Sequence, residues 1–303
     1  MSDNTAFRAE LEERTKKINE QIESYLPEEK GHQSTIFEAM NYSVRAGGKR
    51  LRPLFMQEIC RLFTGEVQPA VVPFMAAIEM IHTSSLVHDD LPCMDDDMMR
   101  RGKASTWAEY GEDMGVLAGD ALMIYAFEVA AKAFNEVSEA DDLKRVGHAI
   151  EILAAKTGIY GMIGGQTVDV ELSGGPIPKN KLDFIYRLKT GALIEASMLI
   201  GAVLGGAADE DCKIVESLAG KVGLAFQIQD DILDVTSTSQ ELGKPVHSDE
   251  KNNKVTYVTL FGVQKASEQV RELSEKALAV LDRLYNKNEF LTELVMEMAT
   301  RRK

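Results

Sequence analysis

The sequence predicts an all-α protein, one large helical bundle, and three observations carry that expectation. Apolar residues recur at helical spacing along runs too long for strands. No stretch alternates apolar and polar residues with the two-residue period of a half-buried strand. Segments such as 192–203 and 115–131 are apolar nearly all round, as in helices at the centre of a bundle rather than on its rim.

In chain order, Phe7, Leu11, Ile18, Ile22 and Leu26 mark a first amphipathic helix. Ser34 is placed to cap a second, which stops at Gly47-Gly48. Pro53 falls in the first turn of a third, where its missing N–H loses no hydrogen bond. Further helices are expected over 69–91, 115–137, 141–172, 179–205, 209–235, 254–286 and 288–300. Gly174-Gly175-Pro176 and the polar stretch 236–253 read as loops, the second with the character of a lid. No linker, repeat or shift in composition divides the chain, so residues 1–303 are expected to form a single domain.

Composition narrows the function. With 34 basic and 48 acidic side chains the net charge is −14, which argues against nucleic acid and against an acidic membrane surface as partner. The first twenty residues are polar and amphipathic, and no uninterrupted apolar stretch reads as long enough to span a bilayer; a cytoplasmic location is expected. Cys60, Cys93 and Cys212 are widely spaced and form no CxxC pair, so neither a disulfide framework nor a zinc site is indicated.

Two aspartate runs about 140 residues apart point to chemistry: His88-Asp89-Asp90 through Asp95-Asp96-Asp97, and Gln229-Asp230-Asp231-Ile232-Leu233-Asp234. A block of like charges usually sits on a solvated face. Here each run begins where an apolar helix ends, after Ile81, Leu86 and Val87 in one case and Ala225, Phe226 and Ile228 in the other. Carboxylates emerging from a core need a counter-charge. Asp230 and Asp234, four residues apart, share a helix face and can reach one hard cation. Magnesium fits best, because it takes one or two carboxylates together with phosphate oxygens, whereas zinc prefers His and Cys. An EF-hand starting at Asp97 fails, with Met99 and Arg101 at its third and fifth positions. Basic motifs lie beside the aspartates: Gly47-Gly48-Lys49-Arg50-Leu51-Arg52, Arg100-Arg101, Lys189-Thr190-Gly191 and Gly243-Lys244. Metal-bridged phosphates need both signs.

Together these segments, with Gly164-Gly165-Gln166 and Asp169, resemble the trans-isoprenyl diphosphate synthases, the group of farnesyl and geranylgeranyl diphosphate synthases, along essentially the whole chain. The resemblance implies an isoprenoid synthase helical bundle with a central pocket, a homodimer, and magnesium, with three ions bridging aspartates and an allylic diphosphate. It also implies head-to-tail condensation of allylic diphosphates with isopentenyl diphosphate. Asp89, Asp90, Asp95, Asp230, Asp231 and Asp234 would be metal ligands. Arg100, Lys189 and Lys244 would contact the allylic diphosphate. Gly48, Lys49, Arg52, His82, Arg101 and Lys254 would bind substrate, mainly isopentenyl diphosphate. Thr190 and Gln227 would offer oxygen dipoles to the carbocation, and the released diphosphate would take the final proton.

Farnesyl diphosphate is the expected product, with twenty-carbon geranylgeranyl diphosphate as the alternative and a noncatalytic subunit less favoured, since both aspartate runs are kept. Ser84 stands where bacterial farnesyl synthases of this kind often carry Tyr. Ser84 and Ser85 lie about one helical turn before Asp89 and are both expected to face the tail pocket. Either residue leaves room for a longer tail unless Met114, Met123 or Phe127 fills the space. Lys103-Ala104-Ser105 replaces the usual Lys-Pro-Thr, and the basic end 301–303 differs from that of relatives. An HD-type phosphohydrolase would need an earlier His at better spacing than His82 or His32 provides. A terpene cyclase would need a different second metal motif.

Overall fold

In the computed structural model, which describes residues 5–237, 255–284 and 286–300, the regular structure is almost wholly helical. The first half contains α1 (Thr5–Glu23), α2 (Ser34–Arg45), α3 (Leu51–Thr64) and α4 (Val71–Asp89). An antiparallel ladder of β1 (Met99–Arg100) and β2 (Lys103–Ala104) follows. Next come α5 (Thr106–Tyr110), α6 (Glu112–Ala131) with a 3-10 turn at Lys132–Glu136, α7 (Ala140–Thr157) and α8 (Met162–Leu172). The second half has α9 (Lys179–Ile185), a π-helical turn (Tyr186–Gly191), α10 (Ala192–Leu204), α11 (Asp209–Thr236), α12 (Tyr257–Phe261), α13 (Val263–Leu281) and α14 (Glu289–Thr300).

The all-round apolar segments are central, as their composition requires. Every residue of α10 is buried, held between α3, α7 and α11. The α4 helix packs chiefly on α6 and α3, and its run from Pro73 to Ile81 is completely enclosed. Each fully buried Leu, Ile or Phe contributes about 1.5–3 kcal/mol, so this layer fixes where α4 ends and where Asp89 emerges. A second, smaller core of Ile185, Tyr186, Ile228, Ile232, Tyr257 and Val270 ties α11 to α9, α12 and α13. It sets the position of Asp230 in the same way.

Four local expectations need correction. The helix expected over 141–172 is two, because Gly158 and Gly161 interrupt it and Gly161 takes a non-helical backbone (φ −132°, ψ −130°). The helix expected over 254–286 is broken at Gly262 (φ 81°). Ser34 is the first helical residue rather than a side-chain cap, with Gln33 before it. Strand does occur, in a hairpin turned by Arg101 (φ 54°) and Gly102 (φ 77°). Positive φ at both central residues is the geometry that two-residue hairpins need. Two helices, Val71–Asp89 and Glu112–Glu136, are also long and apolar enough to cross a membrane by length and composition alone, contrary to the sequence reading; the first is mostly buried as a core helix.

Candidate active site

One cavity of about 1130 Å³ gathers nearly all of the chemistry. From α4 it takes His82, Ser85, Leu86 and Asp89; from α6, Val116, Asp120 and Met123; from α8, Met162, Gln166 and Val170. The π turn adds Lys189 and Thr190, α11 adds Phe226, Gln227 and Asp230, α3 and the turn before it add Arg52, Gly48 and Lys49, and the β1–β2 hairpin adds Arg100 and Arg101. Its walls are therefore apolar along one stretch and strongly charged at the mouth.

Asp89 and Asp230 come from different helices to the same cavity. Gln166 Nε2 donates to Asp89 Oδ1 at 2.5 Å, and Lys189 Nζ pairs with Asp169 Oδ2 at 2.6 Å. Burial alone would lower the Lys189 pKa, but Asp89 and Asp169 outweigh it and hold the ammonium above its ordinary value. Gly165 makes this arrangement possible: a Cβ there would stand 2.2 Å from Lys189 N, so α8 lies directly against the π turn. Among the described residues no three His, Cys, Asp or Glu side chains are gathered tightly enough to hold an ion on their own.

The other charged region is cationic. Arg50 is buried and satisfied, donating to Glu79 Oε2, Asn19 Oδ1 and Val44 O. Arg52 and Arg101 are not neutralised in this way. Burial lowers the pKa of Arg52, and its Nε is buried with no hydrogen-bond partner among the described residues. Burial likewise pulls Arg101 down to about 10, with Glu79 opposing. Gly48 (φ 143°) lets the Arg101 guanidinium lie against its backbone, where a Cβ would be 2.9 Å away, and Arg101 Nη1 donates to Gly47 O. His82 sits among these arginines; burial and then Arg52 and Arg101 drive its pKa well below 6.5, so it is neutral. A buried guanidinium N–H without a partner among the described residues leaves a hydrogen bond that a bound anion could accept.

The polyprenyl synthetase family model matches residues 33–294. The chain belongs to this family. It is 46% identical over 243 residues to the chloroplastic geranylgeranyl pyrophosphate synthase of Catharanthus roseus, covering 80% of this chain and 67% of that one. It is 41% identical to the geranylgeranyl diphosphate synthase of Cyanophora paradoxa, covering 88% and 87%. The geranyltransferase of Helicobacter pylori, solved with magnesium and isoprenyl diphosphate, superposes with a TM-score of 0.83 at 33% identity, covering 99% and 97%. Membership of the polyprenyl synthetases makes this chain a prenyltransferase acting on isoprenoid diphosphates.

Within this polyprenyl synthetase the expected residues divide by placement. Gly48, Lys49, Arg52, His82, Ser85, Asp89, Arg100, Arg101, Lys189, Thr190, Gln227 and Asp230 share the cavity. Asp90 does not reach it: the side chain is buried and held by Arg100 Nη2 and Nε, and burial raises its pKa to about 6 despite that partner. Asp231 is also turned inward, accepting from Tyr186, Tyr257 N and Gln227. Asp234 is buried off the cavity wall, and Asp95 is half-buried near Lys189, whose charge it helps to stabilise. Ser84 is fully buried, its hydroxyl without a partner among the described residues, and of the two serines Ser85 faces the cavity. Of the bulky neighbours, Met123 is on the wall; Met114 and Phe127 pack into the main core. Lys244 and Lys254 lie outside the described residues, as does most of the expected lid. Glu79, Tyr186 and Tyr257 were not anticipated; Glu79 had a signal, a lone carboxylate in the middle of an apolar helix.

Proposed function

We propose that the chain is a short-chain trans-isoprenyl diphosphate synthase that condenses allylic diphosphates head-to-tail with isopentenyl diphosphate and extends the product to twenty carbons, geranylgeranyl diphosphate. One observation carries the reaction: aspartates from two helices and an incompletely neutralised arginine cluster open onto the same apolar cavity. Lys189 and Arg100 would bind the allylic diphosphate. Arg52, Arg101, Lys49 and the Gly48 backbone would bind isopentenyl diphosphate, and neutral His82 would hydrogen-bond it. Lys244 and Lys254 would join these sets.

Asp89 and Asp230, with Asp95 nearby, would hold magnesium together with diphosphate oxygens; the ions would neutralise the departing anion. The side chains then position and shield. Leu86, Phe226 and Leu193 keep water from the allylic cation, and the Thr190 hydroxyl oxygen offers it a fixed dipole. Released diphosphate can accept the final proton.

Product length rests on Ser85. It is small, it lines the cavity one turn before Asp89, and the apolar side chains Val116, Met123, Met162 and Val170 line the same cavity. A fifteen-carbon limit would need a larger side chain there, or Met123 on the same wall filling the space. The geranylgeranyl assignments of the two curated relatives support the longer product over the farnesyl reading. Exposed Leu117 and Ile124, seven residues apart on α6, give that helix an apolar stripe that a second copy could cover, in keeping with a homodimer, and we place the enzyme in the cytoplasm as a one-domain protein. Purified protein supplied with magnesium, dimethylallyl diphosphate and labelled isopentenyl diphosphate should give a diphosphate whose alcohol, released by phosphatase treatment, has twenty carbons. A fifteen-carbon end product would contradict the length, and no condensation would contradict the activity.

A further inference from the structure

The second aspartate run contains a side chain that does something other than meet the cavity. Asp231 receives the Tyr186 hydroxyl and the Tyr257 N–H on Oδ2, the latter at 2.9 Å, and Gln227 Nε2 on Oδ1 at 3.2 Å. A carboxylate only accepts, so Gln227 must turn its NH2 toward it. That leaves Gln227 Oε1 on the opposite side, where the Thr190 hydroxyl donates to it at 2.6 Å. With its hydrogen committed, Thr190 has only oxygen lone pairs left for the cavity that both it and Gln227 line. The π turn puts Thr190 within this reach; such irregular turns are common at functional sites. We infer that Asp231 is a positioning residue: through Gln227 it sets the direction of the hydrogen bonds so that Thr190 presents lone pairs, not a proton, to the allylic cation.

The inference rests on the synthase reading above and makes a separate prediction. In Asp231→Asn the amide oxygen must serve the two tyrosine donors, which turns its NH2 toward Gln227. Gln227 then flips, Thr190 becomes the acceptor, and its proton points into the cavity. The turnover number should fall about tenfold to a hundredfold. Michaelis constants for both substrates and the half-saturating magnesium concentration should stay within about twofold of wild type. In the double variant Asp231→Asn with Gln227→Glu, the Asn NH2 donates to one Glu oxygen and the other again accepts from Thr190, so most of the lost turnover should return. The double variant keeps each of the hydrogen bonds named above, and it carries the test against a Thr190→Val baseline if the single variant does not fold. A rise of about tenfold or more in half-saturating magnesium, with turnover restored at saturation, would make Asp231 a metal ligand and overturn the inference. So would wild-type turnover in Asp231→Asn, or a double variant no faster than Thr190→Val. A wild-type enzyme without condensation activity would instead overturn the synthase reading.

Discussion

Replacing Gly165 by alanine should slow the enzyme far more than its position outside the aspartate runs suggests. Gly165 lies in α8, where alanine is the better helix former by about 1 kcal/mol, so propensity alone forecasts a more stable protein. The neighbouring backbone decides otherwise. The new Cβ would stand 2.2 Å from Lys189 N and 2.8 Å from Leu188 C, where ordinary contact begins at 3.4 Å. Neither atom can swing aside, so α8 and the π turn must part by roughly 1 Å, and overpacking of this kind costs about 1–3 kcal/mol. Gln166 on Asp89 and Lys189 on Asp169 ride on the two segments that separate. A displacement of about 1 Å among groups that position a substrate is enough to cost about a hundredfold in rate. Steady-state kinetics and thermal melting should therefore show a lower Tm and a kcat/KM for the allylic substrate reduced about a hundredfold. A variant with raised Tm and unchanged kinetics would refute the close approach and the positioning built on it.

Arg52→Ala should raise KM chiefly for isopentenyl diphosphate, because the buried Nε without a partner belongs to that site; equal effects on both constants would undo the division. Ser85→Phe should fill the cavity one turn before Asp89 and shorten the product. Ser84→Ala, which removes a buried hydroxyl that has no partner among the described residues, should leave product length unchanged and stability equal or about 1 kcal/mol higher; a product shift with Ser84→Ala would return Ser84 to the cavity wall. His82 gives a pH dependence. Its folded pKa lies well below 6.5, so as pH falls through 6.5 the unfolded chain gains a proton that the folded one refuses, and stability drops. Asp90, with its pKa raised to about 6, acts in the opposite direction over the same range, so urea titrations between pH 7.5 and about 5.5 should show His82→Gln losing less stability, or gaining more, than wild type as pH falls; equal pH dependence would contradict the assignment.

The helices were legible in the sequence because their apolar periodicity is strong, and both aspartate runs stood out because each terminates such a helix. Which aspartate of a pair does what was not. Neighbouring residues on a helix point about 100° apart, and the pattern DD does not say which side the core takes. Once α4 is packed, Asp89 faces the cavity and Asp90 faces Arg100. The same rotation separates Asp230 from Asp231 and Ser85 from Ser84. The β1–β2 ladder was invisible because two residues per strand cannot display an alternation. The break at Gly158 and Gly161 was visible as glycines but was read through, since the apolar residues on either side continue a helical spacing. Glu79 was visible as a misplaced charge, while its partner Arg50, twenty-nine positions earlier, is defined only by the packing of α3 beside α4.

The most direct test of the central claim is a crystal structure of the protein with manganese and an unreactive thiodiphosphate analogue of an allylic substrate, with the ions located by anomalous scattering. Ions should bridge the diphosphate to Asp89 and Asp230 in the cavity. Lys189 should contact the same diphosphate, and Asp90 and Asp231 should still be held by Arg100 and Tyr186. Ions ligated by Asp90 or Asp231, or a diphosphate bound away from both aspartate runs, would contradict the claim.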